Sequence, residues 1–492
     1  MVLEEGTMKV FAEAPDGAVL LDLDGAAAKQ AVDAATSMGS TFYHYSLIPL
    51  VIITVVLAWQ ARPSTAEAIP IGFRKFQFAY LSVWVFCAAA DWLQGPYVYA
   101  LYADYDFSRH QIAQLFVAGF ASSLVFSCVV GAICDRFGRK KCAVAYCALY
   151  IISCLTKHVK HFGVLMIGRI TGGIATSFLF SCFECWMVSE HVGRRKFSDG
   201  LLSYMFGLMY TVHYLVAIIS GIVGEVLNDG FKFHPAQPGS LIYFGGALGP
   251  FDLAIVCLLI GSVLIMLLWD ENYGQDQNSD DKNARPQQGM VQNFVEAVSL
   301  LRSDSRTLFL GLAVACFEGS MFAFVFNWTP ALESKVVPPP YGLIFALFMM
   351  SCMCGASVST LIAPYVKPTW RLVSVFAVGC GSLIVAALVC NISMLRLCFA
   401  SFCIFEFCVG IYFPSVGYLK SEIVPERVRG TMYNLYRVPL NAVVVAALLT
   451  NMTIVQVYTF CAVLLGIGMT CVGIVHVSAS APKGELSSSK EV

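Results

Sequence analysis

Charge is what this sequence has least of. Only 13% of its 492 residues are Asp, Glu, Lys or Arg, against 58% hydrophobic ones, and the mean hydropathy is +0.71. A soluble globular chain does not show that balance, so the molecule belongs in a bilayer. The sequence also lacks a phosphate-cradling glycine loop, a nucleophile elbow and a metalloprotease helix, which excludes an ATP-driven pump and the common hydrolases. No enzymatic activity, cofactor or nucleic-acid partner is expected, and any transport has to draw on a gradient. The 19 cysteines lie almost wholly within apolar stretches, where a thiol behaves as a small hydrophobe. Their one Cys-x-x-Cys spacing, Cys182 to Cys185, has neither a second pair nor a nearby His, so no metal site is expected.

What the chain has instead is apolar length. A spanning helix needs roughly 20 predominantly apolar residues. Thirteen stretches qualify: 44–60, 76–100, 111–134, 142–157, 162–187, 201–225, 241–269, 307–330, 341–363, 370–390, 395–418, 431–450 and 453–477. An all-α polytopic membrane protein is expected, with two six-helix bundles and one extra transmembrane helix at the amino end. The divisions are a poorly ordered acidic segment over 1–43, the extra helix at 44–60, a first bundle over 75–269, a polar linker over 270–306, a second bundle over 307–477 and a tail over 478–492. A late signal peptide cut near Ala66-Glu67-Ala68 is the alternative for 44–60. Against it, acidic residues precede the stretch where a short basic one is required.

Between the spans 111–134 and 142–157 runs Gly131-Ala132-Ile133-Cys134-Asp135-Arg136-Phe137-Gly138-Arg139-Lys140-Lys141. This run resembles the signature loop of the major facilitator superfamily, which joins the second and third core helices on the cytoplasmic side. The resemblance implies a facilitator fold, and conformational roles for Gly131, Asp135, Arg136, Gly138, Arg139 and Lys140. With that loop cytoplasmic, 21 of the 31 Lys and Arg fall on the cytoplasmic side, eight outside and two within spans. The expected topology therefore has the amino terminus outside and the carboxyl terminus cytoplasmic, in the plasma membrane, with a monomer as the working unit.

An ionisable group at mid-bilayer costs about 2.5 to 3.5 kcal/mol on insertion scales, so those present are functional candidates. They are Asp91, Arg169, Glu184, Glu318, Glu406 and Arg437. Glu190, His191 and Glu225 sit near helix ends and are expected to be wetted, as are His158 and His161 in a short loop. Arg169 lies in Gly168-Arg169-Ile170-Thr171-Gly172-Gly173, which matches a second superfamily pattern. Asp91 and Glu318 occupy matching points of the two halves, followed by Pro96 and Pro330.

The blocks Ala90-Asp91-Trp92-Leu93-Gln94-Gly95-Pro96-Tyr97, Phe183-Glu184-Cys185-Trp186, Phe317-Glu318 with Trp328-Thr329-Pro330, Gly410-Ile411-Tyr412-Phe413-Pro414-Ser415 and Arg437-Val438-Pro439 resemble the eukaryotic molybdate-anion transporter family. The resemblance implies uptake of molybdate by alternating access within a lipid bilayer. A tetrahedral dianion offers only acceptors, so it asks for Arg, Lys or neutral donors. Arg437, Arg169, Gln94, Tyr97 and Trp92 are the substrate-contact candidates. Asp91, Glu318, Glu406 and Glu184 are the proton-coupling candidates, since a carboxylate that takes up a proton ceases to repel the anion. Sulfate has the same shape and charge and stays open as a substrate. The aromatic supply of Trp92, Tyr97, Tyr99, Trp186 and Trp328 keeps a sugar or organic compound open, and a non-transporting receptor on the same fold is the third reading.

Overall fold

The computed structural model describes residues 2–480 apart from 5–6, 15–16, 24, 66–67, 274–289, 334–338, 391–393, 426–427 and 451. The middle of the linker, the cleavage-like Ala66-Glu67 and the tail from 481 lie outside the described residues. The described residues ahead of the first helix include strands β1 (Val2–Glu4), β2 (Thr7–Ala14) and β3 (Gly17–Leu23) in an antiparallel meander, with Lys9 opposite Asp22. Helix α1 (Gly25–Gln60) begins well upstream of residue 44, since its first turn, Gly25-Ala26-Ala27-Ala28, is rich in the strongest helix former.

The first half follows as α2 (Ile71–Gln94), α3 (Tyr97–Asp104), α4 (Arg109–Phe137), α5 (Arg139–Thr156), α6 (Phe162–Val188), α7 (Asp199–Gly230), the short hairpin β4 (His234–Pro235) and β5 (Tyr243–Phe244), and α8 (Gly249–Leu268). The Gly95-Pro96 pair divides the expected span 76–100 into α2 and α3. The linker helix α9 (Met290–Ser303) leads to α10 (Ser305–Leu332), α11 (Tyr341–Ile362), α12 (Pro368–Cys390), α13 (Leu395–Ile423), α14 (Arg429–Leu449) and α15 (Ile454–Ser480). Ten of these helices are long and apolar enough to cross a membrane, or eleven with the bent α4. Two expected spans fall short: α5 opens on Arg139-Lys140-Lys141, and the apolar part of α14 is only Leu435–Val445.

The two halves repeat one packing plan. In the first, α2 packs on α7 and α8, α6 on α4 and α5, and α5 on α8. In the second, α10 packs on α14 and α15, α13 on α11 and α12, and α12 on α15, which is the same set of pairs six helices on once the short α3 and the linker helix α9 are left out of the count. Internal duplication of this kind is the build of secondary transporters. Small residues allow the tightest crossings. A Cβ on Gly355 of α11 would strike the Phe407 carbonyl, and one on Gly410 of α13 the Cys352 carbonyl. Helix α1 lies against α11, with Thr54 Oγ1 3.2 Å from Cys354 Sγ, and turns Ile48, Ile52, Val55 and Trp59 outward as a hydrocarbon-facing stripe.

The α5–α6 corner corrects the expectation of a wetted His158. It is buried, its Nε2 lies 3.0 Å from Asp252 Oδ1, and its Nδ1 donates to the Tyr243 carbonyl at 3.1 Å. Burial pushes its pKa down, but these two partners outweigh burial and hold it above the usual histidine value. A raised folded-state pKa means that the stability from this clamp is fully present below the ordinary histidine pKa and is lost as pH rises through the raised one. The thermal midpoint of the wild type is therefore expected to fall over that window relative to His158→Gln, in a melting series across pH.

Candidate functional site

The signature loop is a one-residue break between α4 and α5. Gly138 turns the chain at φ 99°, where an L side chain is strained, and a Cβ there would also strike the Glu271 carboxylate. Glu271 takes up the helix-start amides of α5, accepting from Lys140 N at 2.8 Å and Lys141 N at 3.3 Å. Asp135 pairs with Arg139 at 2.7 Å. Arg139 N donates to Asn272 O, Lys140 Nζ to Met266 O and Trp186 Nε1 to Asp270 O, so the loop is bolted to the end of α8. Gly131, Asp135 and Arg136 remain exposed.

Glu190 and His191, expected to be wetted, are buried in a π-helical turn, Ser189–Arg194. Glu190 pairs with Arg195 at 2.9 Å, and His191 sits among Phe73, Phe76 and Phe197. Trp186 is stacked on Trp269 at 4.0 Å and buried, as is Trp328, so neither offers a face to a solute.

Among the described residues, several contacts that join the two halves lie toward the end opposite the signature loop. Arg109 donates to Asn327 at 2.7 Å, and the rings of Phe116 and Phe120 meet Phe326 and Phe322. Glu225 of α7 accepts from Gly342 N, the first turn of α11, at 2.7 Å and from Tyr97 at 3.1 Å. Glu225 is thus a cap reaching across the interface rather than a wetted end. Tyr97 is committed to that cap, and the buried Gln94 donates to its own Ala90 carbonyl at 2.8 Å.

Asp91 and Glu318, paired by position, are paired in chemistry too, since each accepts from a tyrosine. Tyr150 of α5 donates to Asp91, and Tyr412 of α13 donates to Glu318 at 3.2 Å. Glu318 also meets Lys420 at 3.3 Å. Glu406 is buried and Glu184 exposed beside Tyr210. Trp92 donates to His213 at 3.4 Å, and that ring lies between Trp84 and Trp92 while Trp92 meets Phe345 of the other half. Arg169 Nε donates to Leu115 O, and its guanidinium rests over Phe116 at 4.7 Å, so it is held within the first half. Arg437 is exposed on α14.

Two groups here escape a reading of the sequence. His213 looks like one more polar residue in an apolar span. Lys420 lies beyond the apolar stretch ending at 418 and counts as a loop charge, yet α13 continues to Ile423 and brings it against Glu318.

A facilitator family profile described as sugar transporters with 12 transmembrane segments matches residues 42–409. A molybdate-anion transporter of Xenopus laevis is 30% identical over 81% of this chain and 86% of its own length. One from Danio rerio is 30% identical over 78% and 81%. Among solved structures, a peptide transporter of the POT family superposes with a TM-score of 0.61 at 10% identity, covering 82% of this chain and 97% of its own. A D-xylose–proton symporter gives 0.59 at 12% identity, covering 81% and 96%.

Proposed function

We propose that this chain, which belongs to the molybdate-anion transporter family of the major facilitator superfamily, is a secondary transporter that carries molybdate by alternating access. It is a multi-pass membrane protein and not an enzyme. The observation that carries the reading is the identity to molybdate-anion transporters across about four-fifths of both chains.

The duplicated halves give alternating access a physical basis. With the signature loop taken as cytoplasmic, the Arg109–Asn327 bond, the Glu225 cap and the phenylalanine contacts close the outer end, which supports an inward-open state. The charge bias of the loops supports an outside amino terminus, and the plasma membrane and a monomer complete the proposal. Exposed Arg437 is the leading oxyanion contact. Arg169, turned toward Leu115 and Phe116, is a contact for a state in which α4 has moved. Asp91, Glu318, Glu406 and Glu184 are the candidate proton carriers.

A sugar is the second reading, favoured by the sugar-transporter description of the matching family profile and by the Trp84, His213 and Trp92 cluster. Equilibrium binding to the purified protein separates the two. Molybdate is expected to bind saturably and to be displaced weakly by sulfate and not by hexoses; displacement by a hexose alone overturns the oxyanion reading.

A further inference from the structure

We infer that Lys420 and Arg437 together form an oxyanion site in the second half, and that Glu318 is the built-in counter-ion which occupies Lys420 until substrate arrives. This rests on the oxyanion-carrier reading and goes further by naming a second cation and its competitor.

The ion pair is built to be exchanged. Lys420 Nζ lies 3.3 Å from Glu318 Oε1, long for a charge-assisted bond, whose usual range is about 2.7 to 2.9 Å. Glu318 does not depend on it, because the Tyr412 hydroxyl donates to the same oxygen at 3.2 Å. Both charged side chains keep some exposure, 16% for Lys420 and 15% for Glu318, so a small solute can reach them. A pair that served only to clamp α10 to α13 gains nothing from that access.

Helix α14 supplies the second cation. Lys420 Nζ stands 5.5 Å from the centre of the Tyr433 ring. Tyr433 and Arg437 are one turn apart on α14 and share a face. Helical side chains lean toward the amino end of their helix, and on that ground the proposed site sets the Arg437 guanidinium on the Tyr433 side of α14. In the proposed site the lysine supplies a point charge and the arginine a planar fork to the same oxyanion. A dianion of tetrahedral shape matches two cations, whereas one carboxylate leaves a positive charge in excess. Oxyanion entry is thereby an exchange: the solute takes Lys420, and Glu318 stays on Tyr412.

The test uses the full chain, purified and reconstituted, with molybdate as the probe. Lys420→Gln is expected to weaken molybdate binding about tenfold or more, while Lys420→Arg stays close to wild type. Glu318→Gln, which removes the competitor, is expected to bind molybdate more tightly than wild type. Exchanging the pair, Lys420→Glu with Glu318→Lys, is expected to restore the thermal midpoint without restoring binding. Unchanged binding in Lys420→Gln overturns the site while leaving the carrier reading intact, and so does an exchanged pair that binds normally, which identifies a clamp. A wild-type chain that binds no molybdate overturns the carrier reading and this site with it.

Discussion

Arg437→Gln is expected to lower molybdate uptake about a hundredfold. A hydrogen bond to a charged group contributes about 1.5 to 3 kcal/mol, and loss of a forked pair removes two, while about 1.4 kcal/mol is a factor of ten. The residue is exposed on α14, and its backbone carbonyl accepts from Asn441, so the substitution leaves the helix its bonds. Arg437→Lys keeps the charge and loses the fork, and is expected to fall between wild type and Arg437→Gln. Initial uptake rates normalised to surface protein decide it, and a wild-type rate in Arg437→Gln removes the residue from the site.

Asp91→Asn is expected to abolish concentrative uptake and to spare exchange. An amide still offers Tyr150 an acceptor oxygen, so the bond from α5 to α2 survives, but an amide takes up no proton. Accumulation in vesicles under a proton gradient should stop when inside and outside concentrations are equal. Counterflow of labelled against unlabelled molybdate should continue at a rate near wild type. Loss of both would assign Asp91 to the architecture, and retention of both would move coupling to Glu318, Glu406 or Glu184.

What the sequence makes legible is what is local. The signature loop reads from its own residues because its Asp, its Gly and its cations stand at fixed short offsets, and the structure has Gly138 at a positive φ between α4 and α5. Its main partner, Glu271, does not read, because that contact joins residues far apart in the chain and depends on how α8 ends. Apolar length locates the helices but not their limits: α13 outruns its apolar stretch, and this hides Lys420. Burial is equally silent in sequence. Trp186 and His191 look available to a ligand until Trp269 and three phenylalanines are seen to enclose them. Matching positions of Asp91 and Glu318 do read, since duplication repeats the helix order, while their tyrosine partners come from the third helix of one half and the fourth of the other.

The central claim is that this chain moves molybdate. The measurement that meets it most directly is molybdate accumulation by proteoliposomes holding the wild-type chain, at nanomolar molybdate, with and without a large excess of sulfate. Saturable uptake that resists sulfate is the predicted result. Binding without uptake, from protein shown to be folded and inserted, would contradict it and leave a receptor on a transporter fold.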